Sequence, residues 1–512
     1  MKSKRIAILC LLLGGFCTSQ AQNLEESLLF SQNEQGATAR FRAMGNAQTS
    51  LGGDLSNISG NPAGLGFFNS SDISLSLDYF GDRNKATYFG NPTTSTADRV
   101  GINQFGIVFN LPNMRARGSS DLDRGWLNFN VGIGYTKTNS FHSKLNYAGI
   151  NPNTSIADFF VDQAYEGSFL GDIGWDMGLY DQVGQNNPYY AMTSLDNDQG
   201  VMNAYSGTQS EVNFSVGANY SNRFYLGASL GLSSISYNAN THFYEDGFIA
   251  GEDNLQDPGP GEQPSRFLEE DGYNELLNSA FSYDQQIWSR TRGTGVNLKL
   301  GAIYRASDII RIGLSATTPT WYRMSDSYDD FYGIANFNAN GGEISSYEDS
   351  QVDVYSEYNL RTPYRLNGGI SAVFDRGLIT ADVEFVDHKS IRLSNTDNLL
   401  EMQFNENVAA NYQGAFNYKV GGELMIVPEF LLRAGYNRQG NPYQNADYKA
   451  QSFSGGLGFR FGNYYVDATY QHWRQDYSAA PYTFTEEINL AAPIADVRNS
   501  RNNVFLTIGA KF

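Results

Sequence analysis

The chain runs to 512 residues, with 53 glycines, 33 tyrosines and 33 phenylalanines, 41% hydrophobic residues and a formal net charge of −19. Acidity of this degree makes nucleic acid a poor partner, and no apolar run reaches the ~20 residues of a transmembrane helix. Abundant glycine and aromatics at low hydropathy suit a β-barrel wall, in which one strand face meets lipid and aromatic rings gather at the two interfaces.

At the start, Lys2, Lys4 and Arg5 precede an apolar run from Ile6 to Phe16 and a small, polar stretch ending Ser19-Gln20-Ala21. This predicts a secretory signal peptide over residues 1–21, cut after Ala21. Lipidation at Cys17 is disfavoured, because Gly14-Gly15-Phe16 lacks the branched apolar residue and small pair that precede a lipidated cysteine. Cys10 and Cys17 are the only cysteines and both lie in the leader, so the mature chain can hold neither a disulfide nor a thiolate metal site.

Residues 22–70 do not alternate. They contain short helix signals at Leu24 to Leu29 and Ala39 to Met44, then Leu51-Gly52-Gly53-Asp54 and Asn61-Pro62-Ala63-Gly64-Leu65. A wide barrel leaves a water-filled hole unless something occupies it, and this stretch is expected to be the plug, a small N-terminal hatch with Asn61, Pro62, Ala63 and Gly64 in its defining turn.

Residues 71–512 read as the barrel itself: all-β, antiparallel, transmembrane, with about fourteen strands of period-two alternation. The first carries Ile73, Leu75, Leu77 and Tyr79 on one face, and Leu127 to Tyr135 is a further strand. Val212 to Tyr220 turns through Ser221-Asn222-Arg223 into Phe224 to Leu232, and Val296 to Tyr304 turns through Arg305 to Ser307 into Ile310 to Ala316. Tight turns recur at Asp375-Arg376-Gly377, Val427-Pro428-Glu429 and Gly462-Asn463. Between these hairpins lie stretches that read as long polar loops, roughly 140–205, 238–284, 321–352, 389–407, 439–449 and 476–501. Alternation of short turns with long loops is the asymmetry of outer-membrane barrels, whose periplasmic turns are short. The last strand puts Val504, Leu506, Ile508 and Ala510 on one face and ends in Phe512. With fourteen strands it returns to the periplasmic side and pairs near Ile73.

Five segments carry a resemblance. Arg42-Ala-Met-Gly-Asn-Ala47, Leu51-Gly-Gly-Asp54 and Asn61-Pro-Ala-Gly-Leu65 resemble the N-terminal hatch of the FadL long-chain fatty acid transporter family. Asn297-Leu-Lys-Leu-Gly301 before Tyr304-Arg305, and Pro319 leading to Tyr322 and Asp326, are similar to its Bacteroidetes-type members. The resemblance implies a passive outer-membrane channel for hydrophobic molecules, fatty acids or aromatic hydrocarbons. Ligand would be caught on the loops, bound in the lumen and released sideways through the wall under control of the hatch. It also implies a monomer among outer-membrane lipid and lipopolysaccharide, delivered to the barrel assembly machinery with Phe512 as the signal.

For capture, the first long stretch offers Phe159, Phe160, Phe169, Leu170, Trp175 and Met177, apolar where only polar loop is expected; the alternative is an ordinary loop core. For a carboxylate headgroup, parity turns Lys299, Arg365, Lys419 and Arg433 inward. Asp382, Glu384, Glu423 and Asp467 share that face, so each cation has a structural partner to hand. The four histidines, His142, His242, His388 and His472, show no metal-ligand spacing, and no nucleophile elbow is present. No catalytic residue, metal or cofactor is therefore expected. A general porin and an adhesin or structural barrel remain as alternatives to the transporter.

Overall fold

The computed structural model describes residues 8–10, 19–32, 36–112, 124–184, 187–256, 264–446, 448–485 and 488–512. Of the leader expected over 1–21, only residues 8–10 and 19–21 lie among them, and the last three open a helix that continues to Ser31. Among the described residues, fourteen antiparallel strands close into one barrel. They are β1 (Asp72–Tyr88), β2 (Asn91–Pro112), β3 (Trp126–Ser140, continued by Ser143–Asn151), β4 (Asn197–Tyr220), β5 (Phe224–Phe248), β6 (Ala280–Arg305) and β7 (Ile310–Thr317, continued by Trp321–Phe337). Next come β8 (Glu343–Arg361, continued by Arg365–Phe374), β9 (Gly377–Asp387, continued by Arg392–Ser394), β10 (Gly414–Val427), β11 (Phe430–Gln439), β12 (Lys449–Phe461), β13 (Tyr464–Ala480) and β14 (Ala495–Lys511). Closure is made by β14 on β1, from Ala510 opposite Ile73 to Ala495 opposite Tyr88. The Phe512 amide caps the seam by donating to the Ser71 carbonyl at 2.9 Å.

No helix is long and apolar enough to cross a membrane; the strands do so. Leu75, Leu77, Val216, Leu226, Leu300, Leu314, Ile379 and Ile508 all face outward and are 40–62% exposed. A belt of exposed aliphatics this continuous is a lipid-facing surface. Aromatic rings gather at its short-turn edge: Trp126 against Phe129 and Tyr220, Phe224 stacked on Tyr304 at 4.8 Å, and Phe461 on Tyr464. The molecule is a transmembrane barrel of the outer-membrane type.

The stretches that read as loops need correction, because 143–151, 197–205, 238–248, 280–284, 321–337, 343–352, 476–480 and 495–501 are strand. The wall continues beyond the belt as a tall palisade, 25 residues long in β5 and 26 in β6. Above the lipid the outer face is wetted and needs no apolar residues, so apolar-out alternation vanishes although the ladder goes on. β7 and β8 break side by side at Pro319 and Pro363, which have no amide to give. The break is bridged by Thr320 N to Thr362 Oγ1 (3.0 Å) and Thr362 N to Thr320 O (3.1 Å).

Inside the palisade, α3 (Ile156–Tyr165) and α4 (Phe169–Asp176) form an extracellular cap. Ser155 caps α3 and, with the Ile156 amide, donates to buried Glu245 of β5 at 2.5 and 2.8 Å, which locks the cap to the wall.

Candidate functional site

Four short inner elements fill the lumen. α1 (Ser19–Ser31) hangs from the wall, α2 (Ala39–Ala43) lies below it, and two 3-10 turns, Leu55–Ile58 and Pro62–Phe67, seal the short-turn end. Asn61 caps the second turn by accepting from the Ala63 amide at 3.1 Å, while its Nδ2 donates to the Thr49 carbonyl at 2.6 Å and to Leu314 O of β7 at 3.3 Å. The wall admits this plug because its inward positions there are glycines. A Cβ on Gly301 would stand 1.8 Å from Asn61 Oδ1, on Gly227 2.3 Å from the Pro62 carbonyl carbon, and on Gly313 2.0 Å from Thr49 O.

Charged side chains fasten the hatch. Arg40 forks onto Glu423 at 2.8 and 2.9 Å, and Glu423 also accepts from Arg433 Nε at 2.6 Å. Arg433 continues to Asp467 at 2.7 Å. The Gln48 and Thr49 amides both donate to Asp382, at 2.7 and 2.8 Å. Lys299 donates to the Ser59 carbonyl at 2.9 Å and pairs with Glu211, and Lys419 donates to Glu384 at 3.0 Å. Arg365 lies 3.5 Å from Glu384 and donates to the Ser31 carbonyl at the end of α1. The four inward cations are thus buried, each on a wall carboxylate, and two of them also hold hatch carbonyls.

Above the hatch a cavity of about 210 Å³ opens beside α1. Its apolar side is Leu28, Leu29, Phe141, Leu145 and Tyr237, and its polar side includes Glu25, Gln475 and Arg501. Phe30 packs edge-on to Phe141 and Tyr237 at 5.7 and 5.6 Å, which fixes α1 as one wall. Arg501 stacks over Trp473 at 4.5 Å, lies 3.4 Å from Asp82 and keeps 22% of its side chain exposed. A polar annex of about 60 Å³ shares Leu29, Gln32, Gln475 and Arg501 with the chamber and adds Arg365 and His388. Burial pushes the Glu25 carboxyl up to about 7, against the opposing effect of the hydrogen bond it accepts from Tyr443 at 3.1 Å. Glu25 is therefore largely protonated below neutral pH.

The wall beside the chamber is not continuous. β2 pairs with β3 only from Gln104–Thr136 to Pro112–Asn128. Toward the extracellular side β2 stays on β1 and β3 stays on β4, with Asn103 bulged out of the β1–β2 ladder. The upper segment of β3 passes behind β1 and β2, where Asn84 reaches Lys144 O at 2.7 Å and Asn146 N reaches Ser95 Oγ at 3.0 Å. Two asparagines at this seam hold the hatch: Asn139 donates to Gln32 O at 3.1 Å and Asn103 to Ala37 O at 2.6 Å.

The six apolar cap residues divide. Phe159, Phe160, Leu170 and Met177 are fully buried in a core shared with Phe243, Tyr283 and Tyr482. Trp175 is half-buried beneath the Arg266 guanidinium at 3.8 Å, and Phe169 is 41% exposed. Sequence reasoning missed Phe141, Tyr237 and Arg501. The signal was available, since inward parity runs unbroken from Gly231 through Ser233, Ile235 and Tyr237 to Ala239. Among the described residues no group of side chains could hold a metal.

No family model matches the chain, and no curated protein matches it. Solved structures do share its fold. The P. putida toluene transporter TodX is 14% identical over 93% of this chain and 99% of its own, with a TM-score of 0.50. The deltaS2 mutant of the TodX monoaromatic hydrocarbon channel is 15% identical with a TM-score of 0.51. A Pseudomonas aeruginosa FadL homologue is 14% identical over 93% of this chain and 98% of its own, with a TM-score of 0.50. The fold is therefore the FadL-type fold, barrel and hatch together.

Proposed function

We propose that the protein is a passive channel that carries small hydrophobic molecules across the outer membrane by a lumenal site and a sideways exit. The observation that carries this reading is the chamber: a largely apolar space above a lumen closed by a fastened hatch. A water-filled porin has no use for such a plug. An amphiphile forced through aqueous pore would expose its tail at about 0.8 kcal/mol per methylene, whereas release through the β2–β3 seam leads directly from chamber to lipid.

The chamber's size favours a compact ligand. Cavities of about 150 Å³ take a benzene ring, so about 210 Å³ fits a substituted aromatic ring or the end of an alkyl chain. A long-chain fatty acid would have to extend beyond it, with its carboxylate toward Arg501. That hydrocarbon channels share the fold supports the reading without fixing the cargo. Capture would begin at the cap, where Phe169 is open to solvent.

Protein reconstituted in planar bilayers should show low, intermittent conductance. In vesicles it should speed the entry of a monoaromatic hydrocarbon and leave glucose entry unchanged. A large steady conductance that persists with residues 22–70 in place would overturn the proposal.

A further inference from the structure

On the outer face of β6 to β9 the end of the lipid belt is marked by arginines. Leu232, Val296 and Trp321 form one register row across β5, β6 and β7, and the same row continues into Arg361 of β8 and Arg392 of β9. Two residues farther from the short turns stands Arg323, opposite Thr294, and then Arg292 and Arg290 on β6. All five lie where the outward side chains stop being aliphatic: Leu298 and Leu300 lie below on β6, and Leu314 on β7.

Their charge is poorly compensated. Among the described residues only Arg323 of the five is ion-paired, with Glu357 at 3.0 Å. Arg292 is bonded to the Tyr237 and Thr291 carbonyls, Arg361 to the Ser390 carbonyl and Arg392 to those of Lys389 and Ile391, all neutral partners. Arg361 and Arg392 even sit directly opposite each other in the ladder, where like charges destabilise unless an anion comes between. Elsewhere on the wall the same kind of residue is neutralised: Arg474 and Arg498 both bond Asp476, at 2.9 and 3.4 Å. In a chain of net charge −19, a positive step at the edge of the lipid belt favours an external anion.

We propose that this step binds the phosphate-bearing headgroup of an anionic lipid of the outer leaflet, whose acyl chains lie along Leu298, Leu300 and Leu314. Guanidinium forks match phosphate oxygens in geometry and charge. The belt supplies the apolar half of the same ligand directly beneath. The site lies on the outside of the barrel and is independent of transport.

The test is native mass spectrometry of the detergent-purified full chain incubated with bis-phosphorylated lipid A or with zwitterionic phosphatidylcholine. One lipid A should be retained per barrel, and its retention should fall about tenfold in R292Q/R323Q/R361Q, as the loss of charge-assisted contacts implies. The control R474Q/R498Q should retain it. Heat-modifiable gel migration checks that the variants are folded. Should the triple variant not fold, the wild type still decides: lipid A retention must fall with rising salt while phosphatidylcholine retention does not. Equal retention of both lipids, indifference to the triple substitution, or indifference to salt would each overturn the proposal.

Discussion

Asn103, bulged from β2 at the edge of the open seam, donates its side-chain amide to the main-chain carbonyl of Ala37 in the hatch at 2.6 Å. Asn103 is fully buried, so this bond ties the unpaired edge of β2 to the plug. Deleting a buried partner costs about 1–3 kcal/mol. Asn103→Ala should therefore raise the open population of the hatch by ~5–30-fold, the factor that one or two kcal/mol commands. Hydrocarbon flux into vesicles should rise while the barrel stays heat-modifiable. Unchanged flux would mean that the bond does not gate the seam.

The hatch and wall meet through glycines, and methyl groups report on that contact. Gly301→Ala would drive a Cβ to 1.8 Å from Asn61 Oδ1, so the Pro62–Phe67 turn has to shift. Overpacking of this kind costs about 1–3 kcal/mol. The expected result is a lower thermal midpoint and increased conductance noise. Gly368→Ala, whose nearest neighbour would be Leu314 Cδ2 at 3.8 Å, should leave both unchanged. If the two variants behave alike, the hatch does not sit on the wall as described.

β5 shows what could be read in the sequence and what could not. From Phe224 to Leu232 its outward residues are apolar because lipid demands it, and that periodicity is visible without a structure. Beyond Leu232 the outward residues become Ser234, Ser236 and Asn238, while Ile235, Tyr237 and Ala239 turn in toward the chamber and its neighbours. The polarity inverts although the strand continues, so a search for apolar-out alternation stops where the chamber begins. Inward parity of Lys299 and Arg433 was equally legible, but their surroundings were not. Lys299 finds Glu211 88 positions away, a pairing that needs β4, β5 and β6 laid side by side in register.

Arg433 and Arg501 should separate a structural cation from a ligand-facing one. Arg433 is fully enclosed between Glu423 and Asp467, and breaking such a pair leaves buried charge uncompensated at about 3–5 kcal/mol. Arg433→Gln should lower the thermal midpoint and weaken carboxylate and neutral ligands alike. Arg501→Gln should cost a carboxylate ligand about tenfold in affinity, as befits one charged hydrogen bond, and spare a neutral hydrocarbon. Calorimetric titration with a fatty acid and with its alcohol analogue measures both. Equal losses at Arg501 would remove it as a headgroup site.

Glu25 makes the seating of α1 depend on pH. Its carboxyl is raised by burial from 4.5 to about 7, and Tyr443 is the hydroxyl that faces it. Because the folded value lies above the unfolded one, the contribution to seating is fully present below pH 4.5. It is lost as pH rises through about 7. At 1.36 kcal/mol per unit, the loss is on the order of 3 kcal/mol. The mature chain is expected to carry no cysteine, so Ser27→Cys would provide a single reporter at a site 3% exposed. Its maleimide labelling, normalised to the unfolded chain at each pH, should accelerate from about pH 4.5 and level off above about pH 7. Glu25→Gln should flatten that rise by keeping the side chain neutral throughout. A rise of the same size in the variant would place the sensitive group elsewhere.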